Sequence, residues 1–336
     1  MDKKIIKLNS AIISAASVVG KKEHEGPLGQ LFEMHDEEDR IGQKTWERAE
    51  AEMQRLSANT ALSKCKMTEK DIDFMFAGDL INQCTSSAYG LLEYNVPFFG
   101  LYGACSTAVE GLMLSSVMTS YAVCERCLSV TSSHNCSAER QFRTPLEYGA
   151  QRTPTAQWTV TGAGAFVTEN ADGKNAKGKA RIVEAMPGIS VEKGIKDAGN
   201  MGAAMCSAAA DTVVRYLKSS GKTVNDFDLI ATGDLGWEGL KLFLEFTKED
   251  IPSGTGKIND CGVIVYDITK QNVGCGGSGC GCSAICTAGA FYSKLTSGEY
   301  RNVAVIGTGA MMSPQSLKQG FSIPAVAHLV TFKSRI

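Results

Sequence analysis

Short apolar runs rich in β-branched residues alternate along the chain with longer stretches of helical periodicity. Residues 11–19 form the first apolar run, and residues 45–64 follow with apolar positions at helical spacing. Short runs without polar alternation are typical of strands covered on both faces, and their alternation with helices is typical of parallel α/β sheets. The pattern therefore predicts an α/β fold with parallel, doubly covered strands.

Two of the apolar runs share nearly the same sequence. Residues 71–80 read DIDFMFAGDL, and residues 226–235 read DFDLIATGDL. The segments GACS and SGCG each open a long stretch of small residues, and the apolar runs LSVT and VAVI follow these stretches in turn. The same order of helix, strand, small-residue helix and strand thus occurs twice. This repetition predicts two duplicated halves, residues 1–175 and residues 176–336.

The small-residue stretches are unusual because they contain almost no charge. Residues 104–123 and residues 279–295 consist mainly of Ala, Ser, Gly, Cys, Thr and Met, with Glu110 and Lys294 as exceptions. A helix at the surface carries a polar stripe, so helices without one must be buried on all sides. We therefore predict that the two helices pack together between two sheets.

The overall charge and hydropathy exclude several functional classes. The formal net charge is -2, and no cluster of Lys and Arg has the density of a nucleic-acid or polybasic membrane surface. The longest apolar run near the N-terminus, residues 11–20, is about half as long as a bilayer span, and no cleavable signal pattern surrounds it. We expect a soluble chain without a nucleic-acid partner, whose contact with any membrane is peripheral.

The chain contains twelve cysteines, which we expect to be reduced thiols buried as small apolar side chains. Cys124 and Cys127 have the spacing of a redox or zinc pair, but such a site needs a second pair of ligands. The spacing of the four cysteines between residues 275 and 286 matches no zinc or iron–sulfur pattern. We expect no metal site.

Several segments in order resemble one protein family. They are GPLGQLFE, DIDFMFAGDLINQ, GACSTAVEG, TSSHNCSAERQFR, GGSGCGCSA and TGAMMSP. With the duplicated halves, they resemble the thiolase and ketoacyl-synthase superfamily and, within it, the stage V sporulation protein AD family of spore-forming bacteria. The resemblance implies an α/β fold, a thiolase-like layered αβαβα sandwich made of two duplicated halves.

The resemblance also implies a function in the developing spore. It implies a protein that binds dipicolinic acid (pyridine-2,6-dicarboxylate), as the free acid or as its calcium chelate, for uptake into the forespore. The implied partners are the other proteins of the spore membrane channel complex, and the implied location is the periphery of the inner spore membrane. The superfamily further implies a homodimer formed through the sheet edge of the first half. No cofactor is implied.

Cys105 matches the position of the superfamily's nucleophile, at the start of a buried helix. A helix N-terminus lowers the pKa of a thiol, which favours a reactive Cys105. Superfamily members place two histidines, or a histidine and an asparagine, opposite this thiol. Here the corresponding loops read Gly233-Asp234-Leu235 and GGSGCGCS, without either residue. We therefore predict a protein without thiolase-type catalysis. The alternatives are an acyl-thioester condensing or thiolytic enzyme that uses Cys105, and a structural subunit with a vestigial pocket.

The candidate ligand-binding residues follow from the charge of dipicolinate, because a buried dianion needs hydrogen-bond donors or cations. Helix N-termini and bare glycine N–H groups supply donors, and the guanidinium of arginine matches a carboxylate. The long segment 133–158 carries His134 and several arginines, among them Arg152, and a loop of this length is usually functional. Any one of these arginines could equally be solvated. The predicted ligand-binding residues are Cys105, His134, Arg140, Arg143, Asp234 and Gly279.

Overall fold

The computed structural model describes residues 5–142, 152–251 and 255–334. Its strands in chain order are β1 (Ile6–Gly20), β2 (Met34–Asp36), β3 (Phe74–Gly78), β4 (Phe98–Leu101), β5 (Arg126–Ser133), β6 (Trp158–Thr159), β7 (Gly162–Asn170), β8 (Ala180–Met186), β9 (Leu229–Thr232), β10 (Ile258–Asp260), β11 (Gly277–Ser278), β12 (Asn302–Ala310) and β13 (Ala325–Lys333). Its α-helices are α1 (Lys21–His24), α2 (Trp46–Lys64), α3 (Thr85–Gly90), α4 (Thr107–Ser120), α5 (Asn135–Phe142), α6 (Met201–Ser220), α7 (Gly236–Thr247), α8 (Cys261–Ile264), α9 (Cys280–Ile285), α10 (Tyr292–Ser297) and α11 (Pro314–Lys318).

The main sheet consists of two five-stranded halves with the same topology. One half has the order β1-β7-β5-β3-β4, and the other has the order β8-β13-β12-β9-β10. In each half the first two pairings are antiparallel and the last two are parallel. Antiparallel pairing of β1 with β8 joins the halves into one sheet. The predicted duplication is therefore confirmed, whereas the prediction of an all-parallel sheet was wrong for the strands nearest the junction.

The same turn chemistry precedes the repeated strands β3 and β9. Before β3, Thr68 and Asp71 form a capping box, in which the Asp71 carboxylate accepts a hydrogen bond from the Thr68 backbone N–H at 2.9 Å. Before β9, Thr223 and Asp226 form the same arrangement at 2.7 Å. The duplicated sequence thus encodes the entry to the strand as well as the strand itself.

The helices form layers around the sheet. Helix α2 packs on strands of the first half and α6 on strands of the second, while α4 contacts strands of both halves. Helix α9 continues through a π-helical segment, Cys286–Phe291, into α10, and residues 280–291 are all buried. The prediction that the small-residue helices pack together in the buried centre is confirmed, whereas the two sheets predicted around them are the two halves of one continuous sheet.

The central helices consist of small residues because the neighbouring backbones lie very close. A Cβ atom on Gly164 of β7 would lie 2.7 Å from the carbonyl carbon and oxygen of Ala284 in α9. Real side chains do not tolerate such a contact, so the strand and the helix can pack at this distance only with glycine on the strand.

The cysteines of this fold are separate thiols. All twelve are free, nine of them buried and three half-buried, as expected.

Other expectations concern metal sites, membrane spans and the boundary between the halves. Among the described residues, no group of His, Cys, Asp and Glu is arranged to hold a metal ion. No helix within the described ranges is both long and apolar enough to span a membrane. The boundary between residues 175 and 176 falls in the connection from β7 to β8 and stays a prediction.

Candidate functional site

The candidate site lies where the loops of the two halves meet. Cys105 sits in a 3₁₀ turn, Ala104–Ser106, immediately before α4, and it is buried. Asp234 follows β9 in the second Gly-Asp-Leu loop, and Gly279 stands between β11 and α9. Because these three loops lie at one end of the sheet, residues distant in sequence become neighbours in space.

The carboxyl group of Asp234 holds these loops together. It accepts hydrogen bonds from Thr308 Oγ1 at 2.6 Å, from the Gly279 backbone N–H at 2.8 Å and from Ser278 Oγ at 3.2 Å. The thiol of Cys105 lies close enough that each of the two groups affects the pKa of the other. Complete burial raises the pKa of Asp234 to about 6, although these donors oppose the shift. The carboxyl group of Asp234 therefore connects these loops beneath Cys105.

The environment of Cys105 raises the pKa of its thiol well above the usual value. Burial is the main cause, and the nearby negative charge of Asp234 adds to it. The prediction that the helix N-terminus lowers this pKa was wrong. Burial and the neighbouring carboxylate destabilise the thiolate by more than the N–H groups of a short turn stabilise it.

Gly279 has to be glycine for this arrangement. Its φ of +97° is a conformation that other residues rarely adopt, and a Cβ atom there would lie 2.7 Å from Ser133 Oγ. Without a side chain the backbone can turn so that the N–H of Gly279 points at Asp234. The glycine-rich turn thus serves the buried carboxyl group directly.

The two Gly-Asp-Leu loops differ in what their aspartates do. Asp79 follows β3, is buried, and accepts hydrogen bonds from the backbone N–H groups of Ile81 and Ser87 at 2.8 Å each. Asp79 therefore has a structural role in the turn and cap. Asp234, at the equivalent place after β9, instead accepts bonds from Thr308, Ser278 and Gly279 and lies beside Cys105. The duplicated halves have therefore diverged at the site.

A cavity of about 320 Å³ lies beside Cys105. The residues that line it are Leu80, Tyr102, Ala104, Cys105, Ala138, Glu139, Phe142, Thr153, Thr155, Ala156, Gln157, Thr159, Asp197, Ala198, Gly199, Met201, Ser278, Ala310 and Met312. Among these described lining residues there are two acids and no lysine, arginine or histidine. The size is at the lower end of the range for small-molecule sites, and a mainly apolar wall with a few polar groups is typical of them.

Comparison with known proteins identifies the family. The family model described as Stage V sporulation protein AD matches residues 3–333. The chain belongs to the stage V sporulation protein AD family. Stage V sporulation protein AD of Bacillus subtilis (strain 168) is 42% identical over 321 residues, which cover 95% of this chain and 93% of that protein. The protein therefore has a role in sporulation.

Solved structures show the fold. Cerulenin-bound OleA of Xanthomonas campestris has a TM-score of 0.62 at 14% identity, and the match covers 97% of this chain and 97% of that one. The 3-oxoacyl-[acyl-carrier-protein] synthase III of Aquifex aeolicus VF5 has a TM-score of 0.58 at 12% identity, covering 96% and 99%. These likenesses confirm the thiolase-like αβαβα class for this member of the sporulation family.

The structure brings together three of the six predicted ligand-binding residues. Cys105 lines the cavity, and Asp234 and Gly279 lie directly beneath it. The Nε2 atom of His134 lies 2.8 Å from the backbone oxygen of Asp39, and its Nδ1 atom accepts a hydrogen bond from the backbone N–H of residue 136. His134 is thus buried but is not part of the cavity wall.

The arginines have different positions. Arg140 is 52% exposed, forms an ion pair with Glu47 and does not line the cavity. Arg143 lies outside the described residues. Arg152 lies beside the cavity, where its Nη2 atom is 3.4 Å from Glu139 Oε1. Of Arg140 and Arg152, the two that the structure describes, Arg152 has the position that suits a ligand carboxylate.

Two residues of the site were missed in the sequence. The Nε2 atom of Gln157 donates to the backbone oxygens of Asp234 and Gly277, at 2.7 Å each. It thereby connects the long segment 133–158 to the loop that carries Asp234. Glu139 lines the cavity from α5. Neither stands in a repeated or glycine-rich motif, and the only signal was their location in the long segment 133–158.

His328 is the remaining histidine of the second half, and it lies in β13. Its Nδ1 atom accepts a hydrogen bond from the backbone N–H of Gly188 at 3.1 Å. Burial lowers the pKa of His328 to about 4. His328 is therefore tied to the backbone of the fold and does not line the cavity.

Proposed function

We propose that this protein binds dipicolinic acid without catalysing a reaction on it, and that it does so for uptake into the developing spore. The observation that carries the proposal is the cavity beside Cys105, whose thiol lies next to the carboxyl group of Asp234. Membership of a sporulation family supports the biological setting.

The position of Asp234 next to Cys105 supports a binding role. A thiol becomes a nucleophile as its thiolate, and activation requires a nearby base or positive charge that lowers its pKa. Here burial and a carboxyl group raise the pKa of Cys105. The carboxyl also accepts three other hydrogen bonds, so it is held in place as a structural acceptor.

The cavity wall supports a flat aromatic ligand with polar edges. Leu80, Phe142 and Met312 offer apolar surface, while Thr159 and Ser278 place hydroxyl groups among them. The two acids of the wall would oppose a bare dianion, and a calcium chelate of dipicolinate would carry less charge into the cavity. The proposed ligand is therefore dipicolinate, either as the free acid or as its calcium chelate.

Calorimetry of the purified chain with dipicolinate, with and without calcium, tests the proposal. We expect one site per chain. Cys105→Trp should abolish binding by filling the cavity, whereas Cys105→Ser should retain it, because the sulfur has no chemical role. Benzoate should bind far more weakly, since it lacks the second carboxylate and the ring nitrogen. Equal binding of dipicolinate by wild type and Cys105→Trp would place the ligand elsewhere.

The second candidate is an acyl-thioester condensing or thiolytic enzyme, and the location of Cys105 in a cavity wall favours it. Incubation with acetyl- and acetoacetyl-coenzyme A, followed by thiol release and intact mass, separates the two. Rapid turnover that disappears in Cys105→Ala would establish the enzyme. We expect no turnover and no acylated protein.

We further propose that the protein acts as a homodimer, with the other proteins of the spore membrane channel complex, at the periphery of the inner spore membrane. Strand β4 supports the dimer because it ends the sheet of the first half and exposes Phe98 and Phe99. Fractionation of spores tests the location: the protein should sediment with the inner membrane and be released by alkaline carbonate.

A further inference from the structure

Glu139 and Arg152 form an ion pair beside the cavity. Glu139 lines the cavity from α5, and its Oε1 atom lies 3.4 Å from Arg152 Nη2. The side chains are mostly buried, with exposed fractions of 15% for Glu139 and 20% for Arg152. A pair with so little solvent around it is screened less than a surface pair.

Two further contacts with described residues hold the guanidinium of Arg152. It lies over the ring of Trp158, 4.5 Å from the ring centre, and its Nη1 atom donates to the backbone oxygen of Gln157 at 3.0 Å. The cation–π contact and the hydrogen bond together restrict the position of the guanidinium. A group fixed in this way is ready to bind a planar carboxylate with little loss of side-chain freedom.

The charges of the cavity wall explain why this pair matters for an anion. The ionisable acids among the described lining residues are Glu139 and Asp197, and no lysine or arginine lines the wall there. Among the described residues, Glu139 is an acid that pairs with Arg152. A carboxylate that enters has to compete with Glu139 for the same guanidinium.

We propose that Glu139 is an internal counter-ion that a carboxylate ligand displaces from Arg152, so that Arg152 binds the ligand and Glu139 sets the affinity. This inference rests on the proposed binding of dipicolinate. On displacement the Glu139 side chain turns toward solvent, and a ligand carboxylate takes its place on the guanidinium. The unliganded site is then never left with an uncompensated buried charge.

Calorimetry with dipicolinate tests the inference on wild type, Glu139→Gln, Arg152→Gln and the double variant. Glu139→Gln should bind about tenfold more tightly, because the ligand no longer competes with an ion pair of low exposure. Arg152→Gln should bind at least about tenfold more weakly, as for the loss of a charged partner. In the double variant, Glu139→Gln should bring no gain, since its effect acts through Arg152.

Glu47→Gln is the matched control. Glu47 forms an ion pair with Arg140, which lies on the same helix α5 as Glu139, but neither residue lines the cavity. This variant removes the same charge from a neighbouring, more exposed pair and should leave the affinity unchanged. Thermal unfolding of each variant verifies that it is folded.

The outcomes separate this inference from the proposed function. If wild type binds dipicolinate and Glu139→Gln binds equally or more weakly, the counter-ion role is refuted. A gain for Glu139→Gln that persists without Arg152 would refute it as well, since the effect would then be one of general charge. If wild type and all folded variants fail to bind, the proposed function itself fails.

Discussion

Asp234 lies on the loop after β9, beneath Cys105, and its effect on the thiol is the opposite of activation. A carboxyl group cannot stabilise a thiolate by charge, and in a buried place it makes ionisation of the thiol harder. One residue from the second half of the chain therefore helps to set the reactivity of a thiol in the first half.

Alkylation measures this effect directly. At pH 8 we expect Cys105 to react with iodoacetamide much more slowly than Cys65 or Cys136, which are half-buried. Asp234→Asn should accelerate the reaction of Cys105 by about tenfold or more, because removal of one negative charge lowers the pKa of the thiol. Peptide mass spectrometry resolves the individual cysteines. Fast alkylation of Cys105 in the wild type would contradict the buried, inert thiol.

A second buried acid, Glu50 of α2, lies behind the cavity wall. It accepts hydrogen bonds from Ser132 Oγ at 2.9 Å and from Ser137 Oγ at 2.7 Å, and thereby ties α2 to β5 and α5. Burial, with the nearby charge of Asp79, raises the pKa of Glu50 to about 8. The two buried carboxyl groups, Glu50 and Asp79, therefore hold a proton to a higher pH than carboxyl groups in water do.

The raised pKa of Glu50 makes the free energy of unfolding depend on pH. Because the pKa of Glu50 is higher in the folded chain than its ordinary value of 4.5, its contribution is complete below about pH 4.5 and is lost as the pH rises toward 8. Glu50→Gln should therefore gain stability relative to wild type between pH 5 and pH 8, by on the order of 2 kcal/mol. Urea unfolding at the two pH values measures this. Glu52→Gln, on the same helix, is the control, and an equal change in both variants would argue against Glu50.

At the scale of elements, the packing of α9 against β7 depends on the absence of a side chain at Gly164. The neighbouring backbone of Ala284 leaves no room for a Cβ atom, and both elements belong to the buried centre of the fold. The site depends on this contact, since α9 begins directly after Gly279.

Gly164→Ala should destabilise the protein by about 1 to 3 kcal/mol, because the helix and the strand would have to move apart. Gly256→Ala is the control, since a Cβ atom there would have no neighbour within 4 Å. The midpoint of chemical unfolding compares the two variants. A loss of stability in Gly256→Ala as large as that in Gly164→Ala would mean that the close approach is not the cause.

At the scale of the whole molecule, the two halves of the sheet end differently. β4 ends the first half with Phe98 and Phe99, which are 40% and 45% exposed, whereas β10 ends the second half with residues that are buried or half-buried. An exposed apolar edge strand is a site for pairing with another strand. Pairing of β4 with its copy would continue the sheet across a two-fold axis.

Light scattering should therefore give about twice the monomer mass of 35.8 kDa. Phe98→Lys should shift the protein toward the monomer, because a charged side chain on an edge opposes pairing. Phe246→Lys is the control, since Phe246 is 56% exposed on α7, away from this edge. A monomeric wild type at all concentrations, or equal effects of both variants, would count against a dimer through β4.

The sequence by itself determined the elements and their repetition. The Gly-Asp-Leu strands, their capping boxes and the uncharged central helices are local patterns, and local patterns depend on the order of residues along the chain. It also predicted a pocket position for Cys105, because a motif fixes the place of a residue within its own element. The sequence did not predict the antiparallel pairing of β1 with β8, since pairing between distant strands leaves no local pattern in the sequence.

The tertiary structure alone decided the chemistry of the site. The pKa of Cys105 depends on burial and on a carboxyl group that arrives from the other half of the chain. The same holds for Glu139 and Arg152, whose pairing across the cavity wall requires α5 and the start of the following segment to face each other. Charge interactions act through space over a few ångströms, so the neighbours that set them are chosen by the fold and not by the sequence around each residue.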